Sequence, residues 1–162
     1  MSRSLMYYLW VAIIGYLAGP TLYTAVLRFF YQEPLSQQEL SALLTWSIPT
    51  FFTVGILLYL LSIILLRSLR IYNLLTQTVL FILVGILPAA LFTLGAGMFS
   101  YAEISSLISP EGLLFLLFFS GIGVVCSYGV WVRYKKLSKS PFYFLSGILI
   151  IAFAVLILVP LG

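Results

Sequence analysis

Five long apolar runs follow one another along the chain, parted by short polar breaks: Leu5–Leu27, Leu43–Leu66, Leu74–Phe99, Gly112–Val132 and Phe142–Leu161. None contains Asp, Glu, Lys or Arg. Each is of the order of the roughly 20 residues that a helix needs to cross a hydrocarbon core. Backbone groups in lipid have to bond within their own segment, so such runs predict helices. The expectation is an all-α, polytopic integral membrane bundle, with five transmembrane helices in one domain over 1–162. Met1-Ser2-Arg3-Ser4 ahead of the first run has the outline of a signal peptide. However, the run is longer than the usual apolar core of about 7–15 residues, and no A-x-A-like site follows it. It is expected to stay as the first helix.

The breaks carry start signals. Ser36-Gln37-Gln38-Glu39 has the form of a capping box, in which serine and glutamate satisfy each other's backbone amides. It places the start of the second helix near Gln37, ahead of its apolar run. Ser109-Pro110-Glu111 offers a cap, a proline that needs no amide partner and an acid at the positive end of the dipole. Ser140-Pro141 repeats the cap and the proline for the fifth helix.

Small residues predict the packing. In the third run Thr78, Gly85, Ala89, Thr93 and Ala96 fall within about 80° of arc at the helical period. Such a face lets neighbouring backbones come close in a membrane, and the run is expected to be the central helix. Ala12, Gly15 and Gly19 in the first run, and Ser120, Gly123 and Ser127 in the fourth, each fall within about 60°. Gly15 and Gly19 also form a GxxxG pair. The fifth run has only scattered small residues, chiefly Ser146, Gly147, Ala152 and Ala154. Helices one, three and four are therefore expected to make the tight centre, with helix five the most exposed.

Composition agrees with a lipid environment. The 162 residues are 63% hydrophobic and 7% charged, against about 45–50% and about 25% in soluble domains. The net charge of +4 does not point to nucleic acid, because the charges are sorted by break. With the N-terminus inside, the inner segments hold Arg3, Arg67, Arg70, Arg133, Lys135, Lys136 and Lys139, and the outer segments hold only Arg28. All four acids, Glu33, Glu39, Glu103 and Glu111, fall outside. Basic residues hold short loops in the cytoplasm, so the topology expected is N-in/C-out, in a plasma membrane of the bacterial cytoplasmic type. Trp131, Tyr134, Tyr143 and Tyr72 flank the inner breaks, and Tyr31, Trp46 and Tyr101 the outer ones, as interfacial aromatics do.

The chemistry available is thin. The chain has no histidine and no aspartate, so the usual acid–base, metal and triad constellations lack their commonest members. No catalytic residue, cofactor site or metal site is expected. Ionisable groups, the usual marker of ion and proton pathways, are missing from every run. Cys126 reads as a small packing residue, Gln77 as an interhelical hydrogen-bonding group, and Glu103 and Glu111 as a solvated residue and a helix-start residue. Two candidate sites remain. Thr21, Thr24, Ser47, Thr50 and Thr53 cluster around Pro20 and Pro49, and would line a kinked polar cavity unless the hydroxyls bond to their own backbones. Arg133, Lys135, Lys136 and Lys139 would contact anionic lipid headgroups at the inner leaflet, besides fixing orientation.

Two functions fit this inventory better than an enzyme does. One is a small regulatory, accessory or immunity-type membrane protein that acts through helix contacts with a partner. The other is a channel or transporter component, built by homo-oligomerisation or around the kink. A reporter active only in the cytoplasm, fused to the C-terminus, should stay silent in cells. Strong activity would overturn either the helix count or the orientation.

Overall fold

The computed structural model describes residues 3–33, 36–95 and 110–158. Helix α1 (Arg3–Val26) runs into a π-helical turn, Leu27–Tyr31. Helix α2 (Gln37–Thr50), a π turn at Phe51–Gly55 and α3 (Ile56–Ser68) follow as one rod. Then come α4 (Leu74–Gly95), α5 (Pro110–Tyr134) and α6 (Ser140–Leu158). The described residues thus form five helices, counting the rod as one, and no strand. Ser4–Tyr31, Gln37–Ser68, Leu113–Tyr134 and Ser140–Leu158 are long and apolar enough to cross a membrane. Ala96, Phe99, Tyr101, Glu103, Ser109 and Leu161 lie outside the described residues, and the side chains of Arg3, Pro88, Ala89, Thr93 and Glu111 lie outside the described side chains.

Local chemistry sets the ends. Both halves of the capping box form: the Glu39 amide donates to Ser36 Oγ at 3.2 Å and the Ser36 amide to Glu39 Oε2 at 2.9 Å. Helix α4 starts on a second reciprocal pair. The Thr76 amide donates to Asn73 Oδ1 at 2.8 Å and the Asn73 amide to Thr76 Oγ1 at 3.2 Å. Helix α6 starts slightly earlier than Ser140-Pro141 implies. The Lys139 carbonyl already accepts the Tyr143 amide, and Ser138 Oγ accepts from the Ser140 amide at 3.4 Å. Helices α3 and α5 both end in paired backbone bonds closed by a left-handed residue, which is more often glycine. Here that residue is Arg70 (φ 57°) or Lys136 (φ 53°). Ile71 reaches back to the Leu66 carbonyl and Leu137 to that of Val132.

Pro49 cannot donate a helix hydrogen bond, and the rod accommodates it by widening into the π turn just beyond. The Phe51 amide points at both the Ser47 and Ile48 carbonyls. Pro20 lies inside α1, which continues through it.

The helices pack in the order α2–α3 rod, α4, α5, α1, α6, and the row curls so that Tyr16 of α1 also meets Ser47 of the rod and Ile157 of α6 borders it. Up-and-down connections make α5 antiparallel to both of its neighbours. A Cβ built on Gly123 would lie 3.0 Å from the Ile82 nitrogen of α4, and one on Gly19 would lie 3.0 Å from the Phe118 carbonyl oxygen of α5. Gly15 sits against the Cys126 sulfur, Gly121 against Leu22, and Gly129 against Val11 and Phe142. Gly85 of α4 faces the Phe119 carbonyl oxygen, with 3.3 Å available to a Cβ.

Helices one, three and four therefore do form the tight centre. The third run is not its middle, though: α5 is, because it alone carries glycines on two faces, one for α1 and one for α4. Buried share separates this centre from the rod and α6. The α1 and α5 spans bury 56% and 50%, the rod 17% and α6 only 11%. Gly147 of α6 has open space where a Cβ would go.

Substituting leucine should separate these cases. Gly85→Leu should destabilise the fold by about 1–3 kcal/mol, the scale of overpacking, and Gly123→Leu should cost at least as much because a Cβ there has only 3.0 Å to the α4 backbone, against 3.3 Å at Gly85. Gly147→Leu should stay within about 0.5 kcal/mol. Unfolding of the three variants in mixed detergent measures the order, and equal losses would contradict the packing.

Candidate functional site

One end of the bundle collects the basic residues. Arg67, at the end of α3, places its guanidinium carbon 5.2 Å from the Tyr72 ring centroid and 4.9 Å from that of Tyr134. Trp131 joins the cluster, 5.7 Å from Tyr72 and 5.8 Å from Tyr134 between centroids. Burial pushes the Tyr72 phenol above its ordinary value, and the nearby guanidinium pulls the other way.

The four candidate headgroup residues lie here, in three different settings. Lys135 stands 5.2 Å over Trp131 and Lys139 4.8 Å over Tyr7. Arg133 is half-buried and donates to Ser4 Oγ at 3.3 Å. Lys136 is exposed at the left-handed turn. Cation–ring contacts are electrostatic and leave the charge accessible from the open side, so Lys135 and Lys136 present the freest positive charge of the four.

The candidate polar cavity is dispersed. Thr21 donates to the Leu17 carbonyl, Thr24 to Pro20, Ser47 to Leu43, Thr50 to Trp46 and Thr53 to Pro49, all at 2.6–2.7 Å. Each hydroxyl thus satisfies its own helix four residues back. Ser47 and Thr50 border a void of about 30 Å³ whose other walls include Phe51, Phe118 and Ile122. Thr21 and Thr24 are buried, whereas Thr53 is exposed on the opposite helix. Only Ser47 joins two helices, through a 2.7 Å hydrogen bond with the Tyr16 hydroxyl.

Other polar ties complete the joints. Gln77 is fully buried and donates through Nε2 to the Ser127 carbonyl at 3.0 Å, and Thr78 shares a 2.8 Å hydrogen bond with the Ser127 hydroxyl. Gln77 Oε1 is buried without a partner among the described residues. The Tyr7 hydroxyl donates to the Gly129 carbonyl at 3.1 Å and Trp10 Nε1 to Ser146 Oγ at 3.2 Å. Arg28, the lone base at the other end, donates to the Leu156 carbonyl at 2.9 Å. It thereby caps the last turn of α6, where a cation is favoured. Its isolation in the sequence was the available signal, but nothing there named its partner. Cys126 is a free thiol buried between α1 and α5.

A further surface was not foreseen. On the Gln37 half of the rod Ser41, Thr45, Pro49 and Thr53 are exposed at steps of four residues. The first three line an open trough of about 570 Å³ that Ile157 of α6 borders. With this geometry in view, no protein-family model, no curated protein and no solved structure matches the chain.

Proposed function

We propose that this chain is a five-span membrane protein with its N-terminus inside and its C-terminus outside. It acts without catalysis, holding a partner membrane protein against the α2–α3 rod. The sorting of charge supports the orientation. Among the described side chains, Arg67, Arg70, Arg133, Lys135, Lys136 and Lys139 lie at one end, and Glu33 and Glu39 at the other with the single base Arg28. The first set would face the cytoplasm of a bacterial-type cell.

The observation that carries the partner reading is the ridge Ser41–Thr45–Pro49–Thr53. Small and hydroxyl residues permit close backbone approach between helices in lipid, and the rod leaves this face open while burying little elsewhere. The threonine hydroxyls of the ridge already bond to carbonyls of their own helix, so an apolar helix can pack over them without stranding a donor. A regulatory, accessory or immunity-type role is the form this would take. The same internal bonds leave the pore reading with no observation of its own.

A photo-crosslinking amino acid at Thr45 tests this in living cells, with Ile148 on α6 as the control position. The expected result is one discrete crosslinked protein from Thr45 and none from Ile148. Products made only with lipid, or equal products from both positions, would overturn the partner reading. A crosslink to a second copy of the chain would replace it with a homo-oligomer.

A further inference from the structure

A cleft of about 400 Å³ opens sideways between α1 and α3. The two helices are held apart there by α4 and α5, whose Phe81 and Cys126 form the floor. Ala12 stands on one wall, with Leu60 and Ile63 on the other. The far end closes where the Tyr16 hydroxyl meets Ser47 and the Tyr16 ring packs 5.5 Å from Phe51. At the near end the lining changes character, to Arg67 and Tyr134 with Tyr8 across the mouth. From Ile56 to Arg67 the α3 wall is about 16 Å long at the helical rise. That is about half of a hydrocarbon core, or one leaflet.

Among the described residues, Arg67 is the only charged one that lines the cleft. Tyr72 and Tyr134 hold its guanidinium in place. Among the described side chains, no acid neutralises it nearby. Glu39, on the same rod, is about 40 Å away along the helix, and Glu33 lies at that same far end. Around it stand further cations, Arg70 one turn on and Lys135 against Tyr134. Among the described residues the mouth therefore lacks an anion, while the interior is lined mostly by apolar side chains. A guanidinium suits phosphate oxygens, which it can meet in a fork, and basic pockets between membrane helices recognise anionic headgroups.

We propose that the cleft takes one acyl chain of an anionic phospholipid from the leaflet at the basic end, with the headgroup phosphate held by Arg67. This rests on the membrane reading above but not on the partner reading. It differs from diffuse attraction to the basic loop after α5, because Lys136 and its neighbours have no apolar slot beside them. The chain fills the space that α1 and α3 leave, and the charge at the mouth selects the headgroup.

The full chain, inserted into phosphatidylcholine nanodiscs doped with phosphatidylglycerol of the same acyl chains, is released into mild detergent and its bound lipid counted by native mass spectrometry. One phosphatidylglycerol should be retained in preference to phosphatidylcholine. Arg67→Gln should lower that retention about fivefold, the loss of one basic contact near the surface. Leu60→Trp fills the cleft from its exposed wall and leaves every cation in place, and it should lower retention as far. Lys136→Gln, which removes an exposed charge with no apolar slot beside it, should lower retention far less than Arg67→Gln, and circular dichroism should show all three variants as helical as the parent.

Equal retention of the two lipids would overturn the proposal, as would full retention by Leu60→Trp. A loss in Lys136→Gln as large as in Arg67→Gln would assign the effect to surface charge and overturn it too. Displacement of the phospholipid by oleate at equal concentration would make the occupant a free fatty acid instead. A chain that never enters nanodiscs would overturn the membrane reading and this one with it, whereas one that enters without lipid preference overturns the cleft alone.

Discussion

The structure depends on the close approach of three backbones at α5. Gly15 and Gly19 of α1 and Gly121 and Gly129 of α5 bring one pair together, and Gly85 and Gly123 bring α4 to the other side. On the membrane reading proposed above, ordinary aliphatic side chains gain little by turning inward, because lipid tails are as apolar as they are. Contact has to come from dense packing, and dense packing needs positions with no side chain. That constraint accounts for the order of the row. Helices with glycine faces occupy the middle, and the rod and α6, which lack them, lie at the margins.

A second layer of specificity fixes register. Four contacts carry a polar tie, Tyr16 to Ser47, Gln77 and Thr78 to Ser127, Tyr7 to the Gly129 carbonyl, and Trp10 to Ser146, while α3 meets α4 through the stacked rings of Tyr59 and Phe81. Such bonds contribute about 0.6 kcal/mol on average in a membrane bundle. They set which residue meets which more than they hold the helices together. Among the described residues α1 and the rod share a single polar tie, at Tyr16, and below it the two helices part. The proposed acyl-chain cleft is thus a consequence of where small residues run out.

The apolar runs, their ends and the capping box at Ser36 were legible because each is local: a run of lipid length, or four residues that satisfy one another. The faces of Gly15, Gly85 and Gly123 were legible from the helical period. The hub was not. Gly121 and Gly123 stand about 160° apart round α5, so a single small-residue face captured only one of its two neighbours. Arg70 and Lys136 close helices in a conformation that sequence reasoning assigns to glycine, and so went unseen. Arg28 and Leu156 meet only because α1 and α6 run side by side, which no local pattern encodes. The hydroxyls near Pro49 allowed both a cavity and internal bonding, and only coordinates show them turned to their own carbonyls.

The most direct test of the α1–α5 contact uses the chain's single cysteine. A Cβ at Gly15 would lie 3.4 Å from the Cβ of Cys126, close to the separation of about 3.5–4.5 Å that a disulfide spans. Gly15→Cys, oxidised mildly in detergent or membranes, should lose both titratable thiols within one chain. Gly147→Cys, with open space around it, should keep both. If the Gly15→Cys protein retains two free thiols after oxidation while remaining folded, the two helices do not meet there, and the packing on which the rest of the structure depends is wrong.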